Sequence, residues 1–217
     1  MKKKWLSVLL AAVLAMGTLA GCGGGAEESS GEDTQVSEET DDILGDGVFT
    51  VGFDAEYPPF GYMDDEGEYV GFDLDLAKAV CDAKGWEFEA KPVNWDAKDS
   101  ELNSGTIDCI WNGFTINGRE DDYTWSDPYL DNEQVIVVKA DSGIESLEDL
   151  AGKAVVVQAA SAALDALNNE DNKDLTASFG SLTENPDYNT AFMNLESGAA
   201  DAVAIDIGVA NYQLVQR

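Results

Sequence analysis

The sequence LNSGTIDCI at Leu102–Ile110 returns, little changed, as LESGAADAV at Leu195–Val203. In each stretch a Ser-Gly pair follows a segment of helical pattern, and an aspartate then precedes an apolar run. Glycine readily adopts the left-handed conformation that ends a helix, so each copy predicts a helix followed by a buried strand. The repetition predicts two similar halves, with chance similarity between two helix-to-strand turns as the alternative.

Strand-like apolar runs alternate with helical patterns on both sides of these stretches. Strands are predicted at Val48–Phe53, Phe88–Val93, Ile107–Trp111, Val135–Lys139, Ala154–Gln158, Leu175–Phe179 and Asp201–Ile205. Helices are predicted at Asp73–Lys84 (with Asp73 as its N-cap), at Asp96–Asn103, from Ser146, from Ser161, at Asp187–Glu196 and at the end of the chain. This alternation predicts an α/β fold with mainly parallel sheets. We expect one lobe at residues 45–136 and another at 137–217, connected near Val135–Ser142.

Charge and composition exclude several classes of protein. The chain has 12 Lys and Arg against 43 Asp and Glu, a formal charge of −31, and no histidine. This balance excludes a nucleic-acid binder that works through a basic face. Catalytic triads and metal sites that need imidazole are excluded as well. Because 44% of the residues are apolar, the chain can bury a core. We predict no cofactor and no metal site.

The first residues have the features of an export signal. Three lysines, Lys2–Lys4, precede the apolar stretch Trp5–Ala20, which is shorter than a membrane-spanning helix. The sequence Leu19–Cys22 then resembles the bacterial lipobox, in which the cysteine is lipidated. We therefore predict a lipoprotein signal peptide at residues 1–21 and a lipid on Cys22 that holds the protein at the extracytoplasmic face of the cell membrane. An ordinary signal peptide with a chance cysteine is the alternative.

Residues 22–44 form an acidic, glycine-containing and serine-containing segment without a basic residue. Such a composition buries too little apolar surface to order itself, and its like charges extend it. We interpret the segment as a tether between the lipid and the folded body. A low-complexity interaction tail is the alternative.

Four motifs resemble those of one family. They are DAEYPPF at Asp54–Phe60, GFDLDL at Gly71–Leu76, TINGR at Thr115–Arg119 and SDPY at Ser126–Tyr129. Together they resemble the polar amino acid-binding proteins of ABC importers, the bacterial extracellular solute-binding proteins of family 3. The resemblance implies a two-lobed, type II periplasmic-binding-protein-like clamp with a hinge. It also implies a monomer without enzymatic activity that binds a free amino acid and delivers it to ABC permease subunits.

A zwitterionic ligand needs a cationic and an anionic partner. Arg119 is the only arginine before Arg217, and its planar guanidinium suits a carboxylate. By resemblance Arg119 binds the ligand α-carboxylate, together with Ser161 and the segment that begins at Gln158. Asp206 matches the family aspartate that binds the α-ammonium. The alternatives are a surface arginine for Arg119 and plain helix N-caps for Ser161 and Asp206.

The remaining predicted ligand contacts come from the first lobe. The resemblance and the position at strand ends select Asp54, Tyr57, Trp111, Asn112, Gly113 and Thr115. Trp111 could be either pocket wall or core. A buried Asp54 favours a ligand with a cationic or donor-rich side chain, and arginine, histidine, glutamine and cystine all remain open.

The loop before Arg119 departs from the family pattern, because one residue fewer separates it from Thr115-Ile116. Ala159 stands where the family often has glycine. Cys81 and Cys109 are expected to be buried free thiols, with a disulfide as the alternative. The resemblance also implies that a return hinge strand and C-terminal helices normally follow a point equivalent to Arg217. We therefore expect apolar surface to be exposed on the first lobe.

Two other functions share this fold. One is an enzyme similar to cyclohexadienyl dehydratase, with Glu56 or Asp206 as an acid. The other is a sensory ligand-binding module.

Overall fold

The computed structural model describes residues 45–217, so the predicted signal, lipidation site and tether lie outside the described residues. The strands are β1 Val48–Phe53, β2 Glu56–Tyr57, β3 Gly61–Met63, β4 Tyr69–Val70, β5 Glu87–Pro92, β6 Cys109–Ile110, β7 Gln134–Val138, β8 Ala154–Gln158, β9 Ser181–Asn185 and β10 Ala202–Asp206. The helices are α1 Phe72–Lys84, α2 Lys98–Asn103, α3 Ala162–Asn168, α4 Lys173–Ser178, α5 Tyr188–Ser197 and α6 Ile207–Gln216. Short 3₁₀ helices lie at Trp95–Ala97 and Leu147–Leu150.

The first half is built on a parallel sheet of three strands in the order β5-β1-β6. Val51 and Phe53 of β1 are fully buried and pack against Leu74 and Ala77 of α1. Strands β2, β3 and β4 form a small antiparallel sheet that the sequence analysis did not predict. These strands are only two or three residues long, too short for an alternating pattern to be recognised.

The second half is a sheet of four strands in the order β7-β10-β8-β9. All pairs are parallel except β10 with β7, and every residue of β10 is buried. The two sheets confirm the α/β class with mainly parallel strands. The connection predicted near Val135–Ser142 is wrong, because β7 belongs to the second sheet and residues 111–133 make the crossing. The expected boundary between residues 136 and 137 falls inside β7.

The repeated sequence pattern corresponds to a repeated structural device. Asp108 donates its amide to Thr50 O at 2.8 Å and accepts the Thr50 amide at 2.7 Å. Asp201 makes the same pair of bonds with Ala154, each 2.8 Å long. Each aspartate therefore joins its own strand to the neighbouring parallel strand, β1 in the first half and β8 in the second.

Two expectations about elements are wrong. Leu175–Phe179, predicted as a strand, lies mostly in α4, and the strand follows as β9. Leu175 and Phe179 are four residues apart, a spacing that also suits one face of a helix. Asp73 does not cap α1, because the N-cap is Gly71. Instead the Asp73 carboxylate is fully buried and accepts a hydrogen bond from the Tyr129 hydroxyl at 2.9 Å.

The prediction of free thiols is confirmed, since Cys81 is a buried free cysteine and Cys109 a half-buried one. Among the helices of residues 45–217, none has the length and apolar character needed to cross a membrane.

The two halves share one apolar cluster. Tyr57 and Phe60 of the first half pack with Tyr188 and Phe192 of the second, and the rings of Tyr57 and Tyr188 are 5.9 Å apart. Phe60 also approaches Gly208 so closely that a Cβ at this position would lie 2.8 Å from the ring. This packing brings the carboxyl ends of β1 and β6 close to those of β8 and β10.

Candidate ligand-binding site

A cleft lies between the two halves where these strands end. The space left among its side chains is about 10 Å³, room for about one water molecule. Eight of the predicted residues line it: Tyr57, Asn112, Gly113, Thr115, Arg119, Gln158, Ser161 and Asp206. First-half residues from Tyr57 to Arg119 thus meet residues that lie at the ends of β8 and β10 in the second half.

Asp54 does not line the cleft itself, but it contacts two lining residues, Asn112 and Gln158, and so joins the two halves. Its Oδ2 accepts a hydrogen bond from Gln158 Nε2 at 2.6 Å, and its backbone amide donates to Asn112 Oδ1 at 3.0 Å. All three side chains are buried. Burial raises the pKa of Asp54 to about 6, while the bonds from the Glu56 amide and Gln158 lower it. Among residues 45–217 no lysine or arginine forms an ion pair with this carboxylate, so it can receive a proton or a donor group.

Arg119 also reaches from the first half to the second. Its Nε and Nη2 donate to Asp165 Oδ2 at 3.1 and 2.6 Å, and Nη2 also donates to Ala160 O at 3.2 Å. The guanidinium lies 5.0 Å from the Phe114 ring, and its side chain is only 10% exposed. The alternative of a surface arginine paired with an acid agrees with the pairing to Asp165 but not with the low exposure of the side chain. The guanidinium is an almost buried cation at the edge of the cleft.

The loop from Gln158 to Ser161 forms the opposite wall. Ser161 caps α3, because its Oγ accepts the Leu164 amide at 3.2 Å and donates to Gln158 O at 2.7 Å. Ala160 has a φ of 53°, a left-handed conformation that is uncommon for a residue with a side chain. This conformation accompanies the contact of the Ala160 carbonyl with Arg119.

Asp206 ends β10 and occupies the N-cap position of α6, but its side chain makes no capping hydrogen bond. The buried carboxylate instead accepts hydrogen bonds from Asn132 Nδ2 and from Gln134 Nε2, the latter at 2.7 Å. Asn132 Nδ2 also donates to Thr115 Oγ1 at 3.2 Å. One amide therefore lies between Thr115 and Asp206, two acceptors from opposite halves.

Trp111 lies outside this cleft. It lines a neighbouring cavity of about 500 Å³ in the first half, with Phe49, Trp125 and Tyr129 among the lining residues. Trp111 is half-buried and packs against the Tyr129 ring at 6.3 Å. The structure thus does not bring Trp111 to the other predicted residues, although its neighbour Asn112 lines the cleft.

Sequence reasoning did not select Trp95, Phe114 and Ala162, which complete the lining. Trp95 follows β5, whose carboxyl end lies beside that of β1, so the strand-end argument could have found it. Asn132 and Asp165 gave no such signal, because their contacts depend on how the two halves meet. Gln134 contacts Asp206 because the two residues are paired across β7 and β10 within the second sheet. Across residues 45–217, no group of three or more acidic or cysteine side chains is arranged to hold a metal ion.

Residues 49–192 match the family described as bacterial extracellular solute-binding proteins, family 3. The chain belongs to this family. Among these solute-binding proteins it is 32% identical over 206 residues to the arginine-binding extracellular protein ArtP of Bacillus subtilis (strain 168), covering 94% of this chain and 73% of that protein. It is 33% identical over 155 residues to the L-cystine-binding protein TcyA of the same organism, covering 70% of this chain and 57% of TcyA.

A solved structure of an ABC uptake transporter substrate-binding protein from Streptococcus pneumoniae with bound histidine superposes with a TM-score of 0.74 at 35% identity. The match covers 79% of this chain and 71% of the other. This likeness agrees with the two-lobed clamp that the four motifs imply.

Proposed function

We propose that this solute-binding protein captures a free polar amino acid between its two halves. The observation that carries the proposal is the meeting of Arg119 and Asp206, a cation from one half and an anion from the other, in a single cleft. Both side chains are shielded from water, which strengthens their interaction with charged ligand groups. In this role Arg119 holds the α-carboxylate, while Asp206 and Thr115 hold the α-ammonium.

The ligand side chain would extend toward Asp54. A buried carboxylate without a cationic partner is stabilised by a ligand that supplies one, or that supplies several N–H donors. Arginine satisfies this requirement best, and relatives of the chain are named for arginine and cystine. We therefore place a cationic amino acid first among the candidates, ahead of histidine, glutamine and cystine.

Capture of this kind works as a shift between populations. Only the closed arrangement offers contacts from both halves, so a ligand that uses both stabilises that arrangement relative to an open one. We further propose that Cys22 carries the lipid anchor on the extracytoplasmic face and that the closed protein docks on an ABC importer.

The enzyme alternative has less support in the geometry. Glu56 is exposed and accepts a hydrogen bond from Asn189 Nδ2, while the Asp206 carboxylate accepts from two amide donors. Both carboxylates are therefore engaged as acceptors, and general acid catalysis requires a carboxyl that donates its proton to the reacting group.

Calorimetric titration of the chain with the twenty amino acids and cystine tests the proposal. We expect heat from one or a few polar amino acids, and a loss of affinity of about a hundredfold in Arg119→Ala, because two charge-assisted hydrogen bonds disappear. Arg217→Ala is the matched control, since Arg217 is the other arginine of the body and contacts Glu196 away from the cleft. Absence of binding, or equal binding by Arg119→Ala, contradicts the proposal. Turnover of prephenate would favour the enzyme.

A further inference from the structure

The hydrogen-bond donors of Arg119 are largely occupied by the protein itself. A guanidinium has five N–H donors: one on Nε and two on each terminal nitrogen. In the closed arrangement Asp165 takes the Nε donor and one Nη2 donor, and Ala160 O takes a second Nη2 donor. Only Nη1 makes no hydrogen bond to another group within residues 45–217. A carboxylate grips a guanidinium most strongly through two neighbouring nitrogens, and that geometry requires an Nη2 or Nε donor.

Like Arg119, the two acceptors proposed for the ligand ammonium already have a hydrogen-bond partner from the protein. Asn132 Nδ2 donates to both Thr115 Oγ1 and Asp206 Oδ1, the two acceptors assigned above to the ligand ammonium. At each pole, then, a side chain of suitable polarity from the protein already satisfies the groups that would bind a zwitterion. The Asp165 carboxylate contacts Arg119, and the Asn132 amide donates to Asp206.

We propose that Asp165 is an internal competitor for the ligand carboxylate, so that amino-acid binding is an exchange at Arg119 and Asp165 sets the affinity of the site. The inference rests on the proposed function and goes beyond it, because it assigns a role to a residue outside the cleft lining. Asp165 is suited to exchange, since its side chain is 57% exposed and can be solvated as soon as it leaves Arg119.

The sign of the effect follows from which state contains the ion pair. If the pair stabilises closed protein without ligand and is broken when ligand binds, then removing it lowers the cost of binding. If the pair instead persists beside the ligand and holds the halves together, its removal weakens binding. The donor count favours exchange, because bidentate contact with the ligand needs a donor that Asp165 or Ala160 now occupies.

The test is a comparison of Asp165→Asn with the unchanged chain, titrated with L-arginine, L-histidine and L-cystine. Asparagine keeps the shape of the side chain and removes its charge. A partly exposed ion pair of this kind predicts affinity that is tighter by about two- to fivefold in the variant. Asp174→Asn is the matched control, because Asp174 is an exposed aspartate of the same half with no ion pair among residues 45–217. It changes the net charge equally and should leave the affinity unchanged.

L-Argininamide, which lacks the carboxylate, provides a second arm. Exchange at Arg119 predicts that Asp165→Asn improves the binding of L-arginine but not of L-argininamide. Equal improvement for both probes would show a general charge effect and overturn the proposal. Unchanged or weaker binding of L-arginine, L-histidine and L-cystine by Asp165→Asn would overturn it too, while leaving the proposed function intact.

A separate result would contradict both the proposed function and the exchange at Arg119. If none of the twenty amino acids or cystine binds either protein, the proposed function fails and the inference fails with it. An independent readout is the ¹⁵N spectrum of arginine side chains, because the chain contains only Arg119 and Arg217. We expect the Nε–H signal of Arg119 to move on Asp165→Asn substitution and on addition of L-arginine, with that of Arg217 as the internal reference. An Arg119 Nε–H signal that does not shift in Asp165→Asn would contradict the ion pair between Arg119 and Asp165.

Discussion

The two copies of the repeated pattern begin alike and end differently. Asp108 and Asp201 clamp their neighbouring strands with the same pair of backbone bonds. Yet β6 has two half-buried residues at the edge of its sheet, whereas β10 has five buried residues between β7 and β8. The local device is therefore independent of the length and burial of the strand that follows it. What the strand becomes depends on its neighbours.

The largest difference should appear in strand packing. Ile205 of β10 is fully buried, so Ile205→Ala should lower the free energy of unfolding by about 2–5 kcal/mol. Ile110 of β6 is half-buried, and Ile110→Ala should cost about half as much, because less apolar surface returns to water. Urea unfolding followed by circular dichroism measures both. Equal losses would mean that the edge strand is as well packed as the central one.

Unlike the two strands, the two strand-joining aspartates should contribute equally to the free energy of unfolding. Asp108→Ala and Asp201→Ala each remove a carboxylate that accepts a strand amide, and each should cost about 1–2 kcal/mol in the free energy of unfolding. Both side chains are exposed, so neither change creates a buried cavity. The same urea experiment gives both values. A large loss at only one of the two sites would show that the copies are alike in sequence but not in energetics.

The two halves also differ in the hydrogen-bond partners of a buried aspartate, Asp73 in the first half and Asp206 in the second. Asp206 has two amide donors, whereas one Asp73 oxygen has no partner within the described residues. Burial raises the pKa of Asp73 to about 6, and the bond from Tyr129 lowers it. Because an unfolded aspartate has a pKa of about 3.9, the folded chain binds this proton more tightly. Its contribution to stability is therefore full below about pH 4 and is lost as the pH rises through about 6.

Asp73→Asn tests this contribution, since asparagine keeps an acceptor for Tyr129 but does not titrate. Between pH 5 and pH 7 the unchanged chain should lose about 1 kcal/mol of stability relative to Asp73→Asn. Asp75→Asn, at an exposed position of the same helix, controls for the loss of one negative charge. Parallel pH profiles for the unchanged chain and Asp73→Asn would mean that this carboxyl titrates normally.

Much of the fold could be predicted because its signals are local. The apolar run of β1 and β8 and the glycine before β10 depend on neighbouring residues, and these elements lie where the sequence placed them or one residue away. Leu175–Phe179 failed because its spacing suits helix and strand equally. Asp73 failed because a residue near a helix start can serve a distant partner, here Tyr129, instead of the helix.

In the site, too, the residues with a local sequence signal could be predicted and those without one could not. Strand ends and family motifs placed Asn112, Gln158 and Asp206 in one cleft, but they gave no indication of Asp165 or Asn132. Those two residues matter through contacts between halves that are far apart in sequence. Such contacts follow from the angle at which the halves meet, and no local pattern encodes that angle.

The aromatic contact between the halves has a thermodynamic consequence. Any separation of the halves exposes Tyr57 and Phe60 to water, and hydration of apolar surface increases heat capacity. Ligand capture that brings the halves together must then carry a negative heat-capacity change. The enthalpy of binding then becomes more favourable on warming while the entropy becomes less favourable, so the two changes largely offset each other in the binding free energy.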